Sequence, residues 1–150
     1  MTLEEAAATA GPLRLPADPR LGPPDAVYVD PARGNQVALV WAAGPELPAT
    51  LEPGVGLILM TFDGTLDEGI FQKIVGPASV LERLRVSDRP GWWIAGDQHT
   101  FLYRSKDGEV VNDERRWVGD ALLWSDGTKT YRIESALGRD STVAIAESLP

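Results

Sequence analysis

The sequence has no cysteine and only one histidine, His99, among its 150 residues. Without cysteine, a disulfide framework, a cysteine-ligated zinc site and a thiol nucleophile are all excluded. A single histidine with no second ligand beside it makes a poor metal site, so we expect neither a metal nor a cofactor. The motifs of serine hydrolases, P-loop proteins and dinucleotide-binding proteins are missing as well. We therefore expect a protein that is not an enzyme, although a hydrolase whose two carboxylates meet only on folding stays open.

Positive charge and long hydrophobic runs are also scarce. Lysine and arginine number 14 against 22 aspartates and glutamates, and the resulting net charge of −8 argues against a nucleic-acid partner. The longest nearly apolar runs, residues 37–44 and 55–60, are far shorter than the roughly 20 residues that a membrane-spanning helix needs. The first residues are acidic, where a secretory signal would be basic. We expect the chain as given to be soluble.

What the sequence does contain is typical of one globular domain over residues 1–150. The hydrophobic fraction is 43% and the charged fraction is 24%, and this length is enough for a substantial core. Thr2 and Glu5 have the spacing of a capping box, which predicts a short helix over residues 3–9. Five of the twelve prolines then fall within residues 12–24, and they predict an extended lead-in segment.

The next segments carry strand signals. Residues 26–30 and 36–41 flank a five-residue loop and predict a hairpin. Residues 55–62 are almost continuously apolar, which predicts a central strand covered on both faces. Between these strands, residues 44–54 contain three prolines and predict a loop. Apolar residues at Ile70, Phe71, Ile74 and Val75 predict a helix over 67–75.

The second half of the chain has the pattern of an antiparallel meander. Strand signals at 80–86, 92–95, 98–104, 109–112, 122–124 and 130–134 alternate with turn signals, including 87–91 and 96–97. A last helix follows, capped by Asp140 or Ser141, with an apolar face that must dock on the sheet. The predicted fold is a single α+β domain. A curved antiparallel meander sheet of about seven to nine strands packs against two or three short helices, including the C-terminal one.

The stretch from Gly91 to Tyr103 holds two adjacent tryptophans and the histidine. If residues 96–97 form a two-residue loop, one face of the hairpin carries a set of mainly aromatic side chains: Trp92, Ile94, His99, Phe101 and Tyr103. One interpretation makes Trp92, Trp93, His99, Phe101 and Tyr103 a contact site for a ligand or partner. The other makes the same residues part of the sheet core.

Trp92 and Trp93 must point to opposite faces of their strand. One of them therefore covers a second layer, caps a helix or lies exposed. An exposed tryptophan would suit a contact surface.

Several segments resemble a known family. The chain is similar to the DUF4367-like domains in Leu122-Leu123-Trp124, Tyr131-Arg132-Ile133-Glu134-Ser135 and Ala146-Glu147-Ser148-Leu149. The segments Gly91-Trp92-Trp93, Gly96-Asp97-Gln98-His99 and Leu21-Gly22-Pro23-Pro24-Asp25-Ala26-Val27-Tyr28 resemble that group too. More closely, residues 2–150 resemble the C-terminal extracytoplasmic region of membrane-anchored anti-sigma factors.

In that family a cytoplasmic domain holds a sigma factor, one transmembrane helix follows, and a domain like this one lies outside. This sequence shows neither of the first two segments, so no residue here is assigned to sigma-factor binding. The resemblance implies a non-catalytic, extracytoplasmic sensor or regulatory domain that binds a protein, a peptide or an envelope component. It also implies a membrane tether in a parent protein. The alternative is a carrier whose curved sheet encloses a lipid or another small apolar ligand.

Overall fold

Most of the strands and helices form where the hydrophobic periodicity of the sequence predicts them. The computed structural model describes residues 1–64, 80–95, 101–104, 110–113 and 119–150. The helices are α1 (Leu3–Ala10) and α2 (Arg139–Glu147), and a 3-10 turn spans Pro31–Arg33. The strands are β1 (Ala26–Asp30), β2 (Gln36–Ala42), β3 (Val55–Asp63), β4 (Val80–Val86), β5 (Arg89–Ala95), β6 (Phe101–Arg104), β7 (Val110–Asp113), β8 (Asp120–Ser125) and β9 (Lys129–Ser135).

Seven of these strands form one antiparallel sheet in the order β1-β2-β3-β9-β8-β5-β4, and β6 pairs with β7 in a separate two-stranded sheet. The prediction of a single α+β domain with an antiparallel sheet and a C-terminal helix is confirmed. The connections follow a meander only in part, because β9 returns to pair with β3, and β8 pairs with β5. This order places β3, β9 and β8 at the centre, where residues on both faces of the sheet are buried.

One face of the sheet, called here the helix face, packs against both helices. A row of apolar side chains crosses six strands on this face, each paired with the next: Val27, Leu39, Leu59, Ile133, Leu122 and Trp93. Ala6 of α1 and Ile145 of α2 are fully buried in the same cluster. Each buried leucine or isoleucine contributes about 1.5–3 kcal/mol through loss of contact with water. This row is therefore the main core of the domain.

The other face, called here the second face, is also buried but is not purely apolar. Its central row consists of Ala38, Met60, Arg132, Leu123 and Trp92. Arg132 and Glu134 are each 1% exposed, and Arg132 Nε lies 3.2 Å from Glu134 Oε2. Arg132 Nη2 also lies 2.8 Å from Met60 Sδ. Because Leu59 is buried on the helix face and Met60 on the second face, the prediction that β3 is covered on both faces is confirmed.

The N-terminal helix begins as its sequence predicts. The Thr2 amide donates to Glu5 Oε2 at 2.7 Å, and the Glu5 amide donates to Thr2 Oγ1 at 3.1 Å, which completes the capping box. After α1, the proline-rich lead-in runs to β1 without a helix or strand of its own. It is tied to the sheet where Trp41 Nε1 donates to the Gly22 carbonyl at 2.8 Å.

The predicted cap of the C-terminal helix is wrong. Asp140 and Ser141 lie inside the first turn of α2, and the N-cap is Gly138, which makes no side-chain capping bond. Thr142 instead donates from its hydroxyl to the Gly138 carbonyl at 2.6 Å. The helix begins earlier than predicted because Gly138 adopts a φ of +87°, a conformation open mainly to glycine.

The turn between β4 and β5 is shorter than predicted. Only Ser87 and Asp88 form it, with φ angles of +48° and +65°, and Val86 pairs directly with Arg89. Two positive φ values in a two-residue loop define a type I′ turn, whose twist matches a tight hairpin. Pro90 and Gly91, taken above as turn residues, therefore lie inside β5.

Gly91 is required by packing rather than by backbone conformation. A Cβ atom at this position would lie 3.0 Å from the Leu123 carbonyl oxygen and 3.3 Å from both Leu84 Cδ1 and Trp124 Cβ. We expect Gly91→Ala to lower the free energy of unfolding by about 1–2 kcal/mol, because overpacking forces the neighbouring strands apart. Urea denaturation followed by circular dichroism measures the change.

Gly22→Ala is the matched control, since a Cβ at Gly22 would meet no atom within 4 Å. Its free energy of unfolding should stay within about 0.5 kcal/mol of the wild type. Equal stabilities for the two variants would contradict the packing argument.

Some predicted features fall on residues that the structure does not describe. The helix over 67–75 lies outside the described residues, as do His99, the turn at 96–97 and residues 105–109 before β7.

Candidate functional site

The two adjacent tryptophans lie in β5 and are both buried. Trp92 is 7% exposed on the second face, and Trp93 is 6% exposed in the core of the helix face. The prediction that they point to opposite faces is confirmed. Trp92 therefore covers a second buried layer of the sheet, rather than capping a helix or lying exposed.

A two-residue loop at 96–97 would pair Trp92 with Phe101, and the structure contradicts that pairing. Both edges of β5 are already occupied, since Trp92 pairs with Arg83 of β4 on one side and with Leu123 of β8 on the other. In the two-stranded sheet, Phe101 pairs with Asp113 and Tyr103 with Val111. The two tryptophans therefore do not share a hairpin with Phe101 and Tyr103. A contact role for Trp92, Trp93, His99, Phe101 and Tyr103 stays a prediction.

A groove, called here the edge groove, lies between β4 and α2. Its volume is about 450 Å³, and its lining residues are Glu82, Leu84, Arg85, Arg139, Asp140, Val143, Ala144 and Glu147. Leu84, Val143 and Ala144 supply its apolar part, and the other five lining residues are charged. The groove exists because β4 ends the sheet and α2 packs beside it on the helix face.

One end of the edge groove is joined by an ion-pair network. Arg139 Nη1 lies 2.6 Å from Glu82 Oε1 and Arg139 Nε lies 2.9 Å from Asp140 Oδ1. The Glu82 carboxylate, followed by that of Asp140, raises the pKa of Arg139 above its usual value. Arg139 therefore links the start of α2 to β4 and holds the two walls of the groove together.

A second concave site, called here the turn pocket, lies where the lead-in segment meets the β8–β9 turn. Its volume is about 320 Å³, and it is lined by Ala10, Pro12, Leu13, Arg14, Val37, Thr61, Asp126, Thr128, Lys129 and Tyr131. Tyr131 stacks on Trp124 with ring centroids 5.1 Å apart and an interplanar angle of 11°. The pocket thus combines a fixed aromatic wall with charged groups from two separate parts of the chain.

Asp126 organises the turn beside this pocket. Its Oδ1 accepts the amides of Thr128 at 2.9 Å and Lys129 at 2.8 Å, and its Oδ2 accepts the Tyr131 hydroxyl at 3.0 Å. Burial opposes ionisation of Asp126, but the two amides and the hydroxyl together hold its pKa below the usual value. Burial, followed by the hydrogen bond to this carboxylate, raises the pKa of Tyr131 to about 12.

The part of the chain that the structure describes contains no group of three or more histidine, aspartate or glutamate side chains placed to hold a metal ion. None of its helices combines the length and the apolar character needed to cross a membrane. Comparisons with protein-family models, with curated proteins and with solved structures found no match to this chain. The resemblance to DUF4367-like domains and anti-sigma factors therefore stays a prediction.

The sequence carries a weak signal for the edge groove. Glu82, Arg83 and Arg85 place three charges within one short strand, a composition typical of a sheet edge. The turn pocket has no comparable signal, because Arg14 and Lys129 are far apart in sequence and meet only through folding.

Proposed function

We propose that this chain is a non-catalytic sensor or regulatory domain that binds an extended peptide segment in the edge groove. The observation that carries the proposal is the position of the groove between an edge strand and a helix. In the described part of the chain, β4 pairs only with β5. Peptide-binding domains often bind a ligand as an added strand at such an edge, where side-chain pockets give specificity.

The register of β4 indicates how such a segment would pair. In a hairpin closed by a two-residue turn, Val86 and Arg89 exchange both backbone hydrogen bonds. Arg85 and every second residue before it then direct their N–H and C=O groups away from β5. An added strand would hydrogen-bond to these groups and direct alternate side chains toward α2.

The lining of the groove favours a particular peptide chemistry. Leu84, Val143 and Ala144 form a surface for an apolar side chain. Glu147 lies exposed in the last turn of α2, which contains no basic residue. A lysine or arginine of the partner would compensate both Glu147 and the negative end of the helix dipole. With a net charge of −8, the chain would also attract a basic segment. The proposed partner is therefore an extended segment with alternate apolar residues and flanking basic residues.

A fluorescent ten-residue peptide that alternates valine with threonine and carries lysine at both ends is a suitable probe. We expect binding to the wild type by fluorescence anisotropy. Ala144→Trp should weaken it at least tenfold, because the indole fills the groove at an exposed position. Ala32→Trp is the matched control, since Ala32 is exposed on the 3-10 turn away from the groove. It should bind as the wild type does.

Two further measurements make the test decisive. The same peptide with proline in place of every threonine should not bind, because proline removes the donors of an added strand. Replacing the terminal lysines by glutamates should weaken binding. Failure of the lysine peptide to bind, or equal binding to Ala144→Trp, would refute strand addition in this groove.

The wider role that we propose follows from the family resemblance. A domain of this kind would act on the extracytoplasmic side of a membrane-anchored, anti-sigma-factor-like parent and bind a protein, peptide or envelope component there. The coding sequence upstream of this segment tests that part of the proposal. A sigma-holding domain followed by one transmembrane helix would support it, and an unrelated upstream gene would contradict it.

A further inference from the structure

The turn pocket has a different chemistry from the edge groove and suggests a different ligand. Its volume of about 320 Å³ falls within the range of small-molecule sites, which combine apolar walls with a few placed polar groups. Leu13, Val37 and Tyr131 provide such walls, and Leu13 packs against the core from the lead-in segment.

Two carboxylates, Asp126 in the pocket lining and Asp63 beside Lys129, already accept hydrogen bonds from the protein. Both oxygens of Asp126 are used by the turn itself, as described above. Asp63 Oδ1 accepts Lys129 Nζ at 2.9 Å, and its Oδ2 accepts Asn35 Nδ2 at 3.0 Å. These two acids are therefore engaged in holding the β8–β9 turn and the end of β3.

The cationic side chains at the pocket, Arg14 and Lys129, use only some of their N–H donors in contacts with the protein. Arg14 Nη1 lies 3.8 Å from Asp126 Oδ2, which is beyond hydrogen-bonding distance, and its side chain is 51% exposed. A guanidinium carries five N–H donors in a fork that suits a carboxylate. Lys129 Nζ has three donors and directs one of them to Asp63. Arg14 and Lys129 therefore have more N–H donors than the contacts they make to Asp126 and Asp63 require.

We propose that the turn pocket binds a small carboxylate with an apolar body. The carboxylate would take the unused donors of Arg14 and Lys129, and the apolar body would lie against Leu13, Val37 and the Tyr131 ring. This site is separate from the edge groove, and its occupancy does not depend on peptide binding.

Octanoate is the probe, and octan-1-ol is its uncharged counterpart. Isothermal titration calorimetry should detect octanoate binding to the wild type and at least tenfold weaker binding of octan-1-ol. Arg14→Gln should weaken octanoate binding at least tenfold with little change in melting temperature, because Arg14 is half exposed. Arg33→Gln is the matched control, since Arg33 forms an exposed ion pair with Asp30 and does not line the pocket. It should leave octanoate affinity unchanged.

NMR locates the ligand, because the Thr128 and Lys129 amides sit directly beside the pocket. Their shifts should move with octanoate in the wild type and much less in Arg14→Gln. The Ala144→Trp variant should bind octanoate normally, so that failure of the peptide proposal and failure of this one are distinguishable. Absence of octanoate binding, equal affinity for octan-1-ol, or an unchanged affinity in Arg14→Gln would overturn the proposal.

Discussion

Replacing Arg132 by methionine is expected to lower the free energy of unfolding by about 3–5 kcal/mol. Arg132 and Glu134 are adjacent on the second face of β9 and almost completely buried, with Nε and Oε2 3.2 Å apart. Removal of the guanidinium takes the Arg132 partner away from the buried Glu134 carboxylate, whose cross-strand neighbours are Ile58 and Ala121. Breaking a buried ion pair by removing one partner is among the most costly single changes in a protein core. Urea denaturation at neutral pH measures the loss.

The double variant Arg132→Met, Glu134→Leu separates the cost of the lost partner from the value of the pair. Its loss should be clearly smaller than the sum of the two single losses, because neither member of the pair is then left buried without the other. Arg33→Met is the control, since the Arg33–Asp30 pair is exposed and should change stability by less than about 1 kcal/mol. A loss below about 1 kcal/mol for Arg132→Met would contradict the argument. So would additive losses in the double variant.

Most local elements of this fold are predictable from the sequence. The β8–β9 hairpin is an example, because the apolar run Leu122–Trp124 and the alternating Tyr131 and Ile133 flank the 125–129 segment, and the turn contains Gly127, whose φ is +94°. The capping box of α1 is another, since Thr2 and Glu5 need only each other. These signals are reliable because the interactions that enforce them lie within a few residues.

The pairing between strands that are distant in the sequence is the part of the fold that the sequence does not predict. The Gly96-Asp97 turn signal predicts that β5 pairs with the next strand, but β4 and β8 occupy both of its edges. Pro90 and Gly91 mislead in a similar way. Pro90 lies opposite Arg85 and just beyond the last β5–β8 pair at Gly91, so its missing N–H interrupts no observed pairing. Gly91 is set by atoms of β8 and β4 rather than by a turn.

The candidate sites are hidden for the same reason. The edge groove depends on β4 being the last strand of the sheet and on α2 lying beside it, and neither fact is local. The turn pocket joins Arg14 to Asp126 and Lys129 across more than half of the chain. Trp92 and Trp93 are both buried in the sheet, and a contact role for them stays a prediction.

The pH dependence of stability tests the environment of Tyr131. Its pKa is raised to about 12 in the folded chain, first by burial and then by the hydrogen bond to the Asp126 carboxylate. An unfolded tyrosine has a pKa of about 10. Below pH 10 both states are protonated, so the favourable contribution of Tyr131 is fully present. Between pH 10 and pH 12 only the unfolded state loses its proton, so stability falls by about 2–3 kcal/mol.

Tyr131→Phe isolates this effect, because it keeps the ring stacked on Trp124 but removes the ionisable hydroxyl. At pH 8 the variant should be less stable than the wild type by about 1 kcal/mol, which is the value of one hydrogen bond. At pH 12 the order of the two stabilities should reverse. Only the wild type has the Tyr131 hydroxyl, whose ionisation in the unfolded state opposes folding. Tyr28→Phe is the control for the loss of an exposed tyrosine hydroxyl, because Tyr28 is 62% exposed. Parallel stability curves for the wild type and Tyr131→Phe between pH 8 and pH 12 would contradict the buried Tyr131–Asp126 bond.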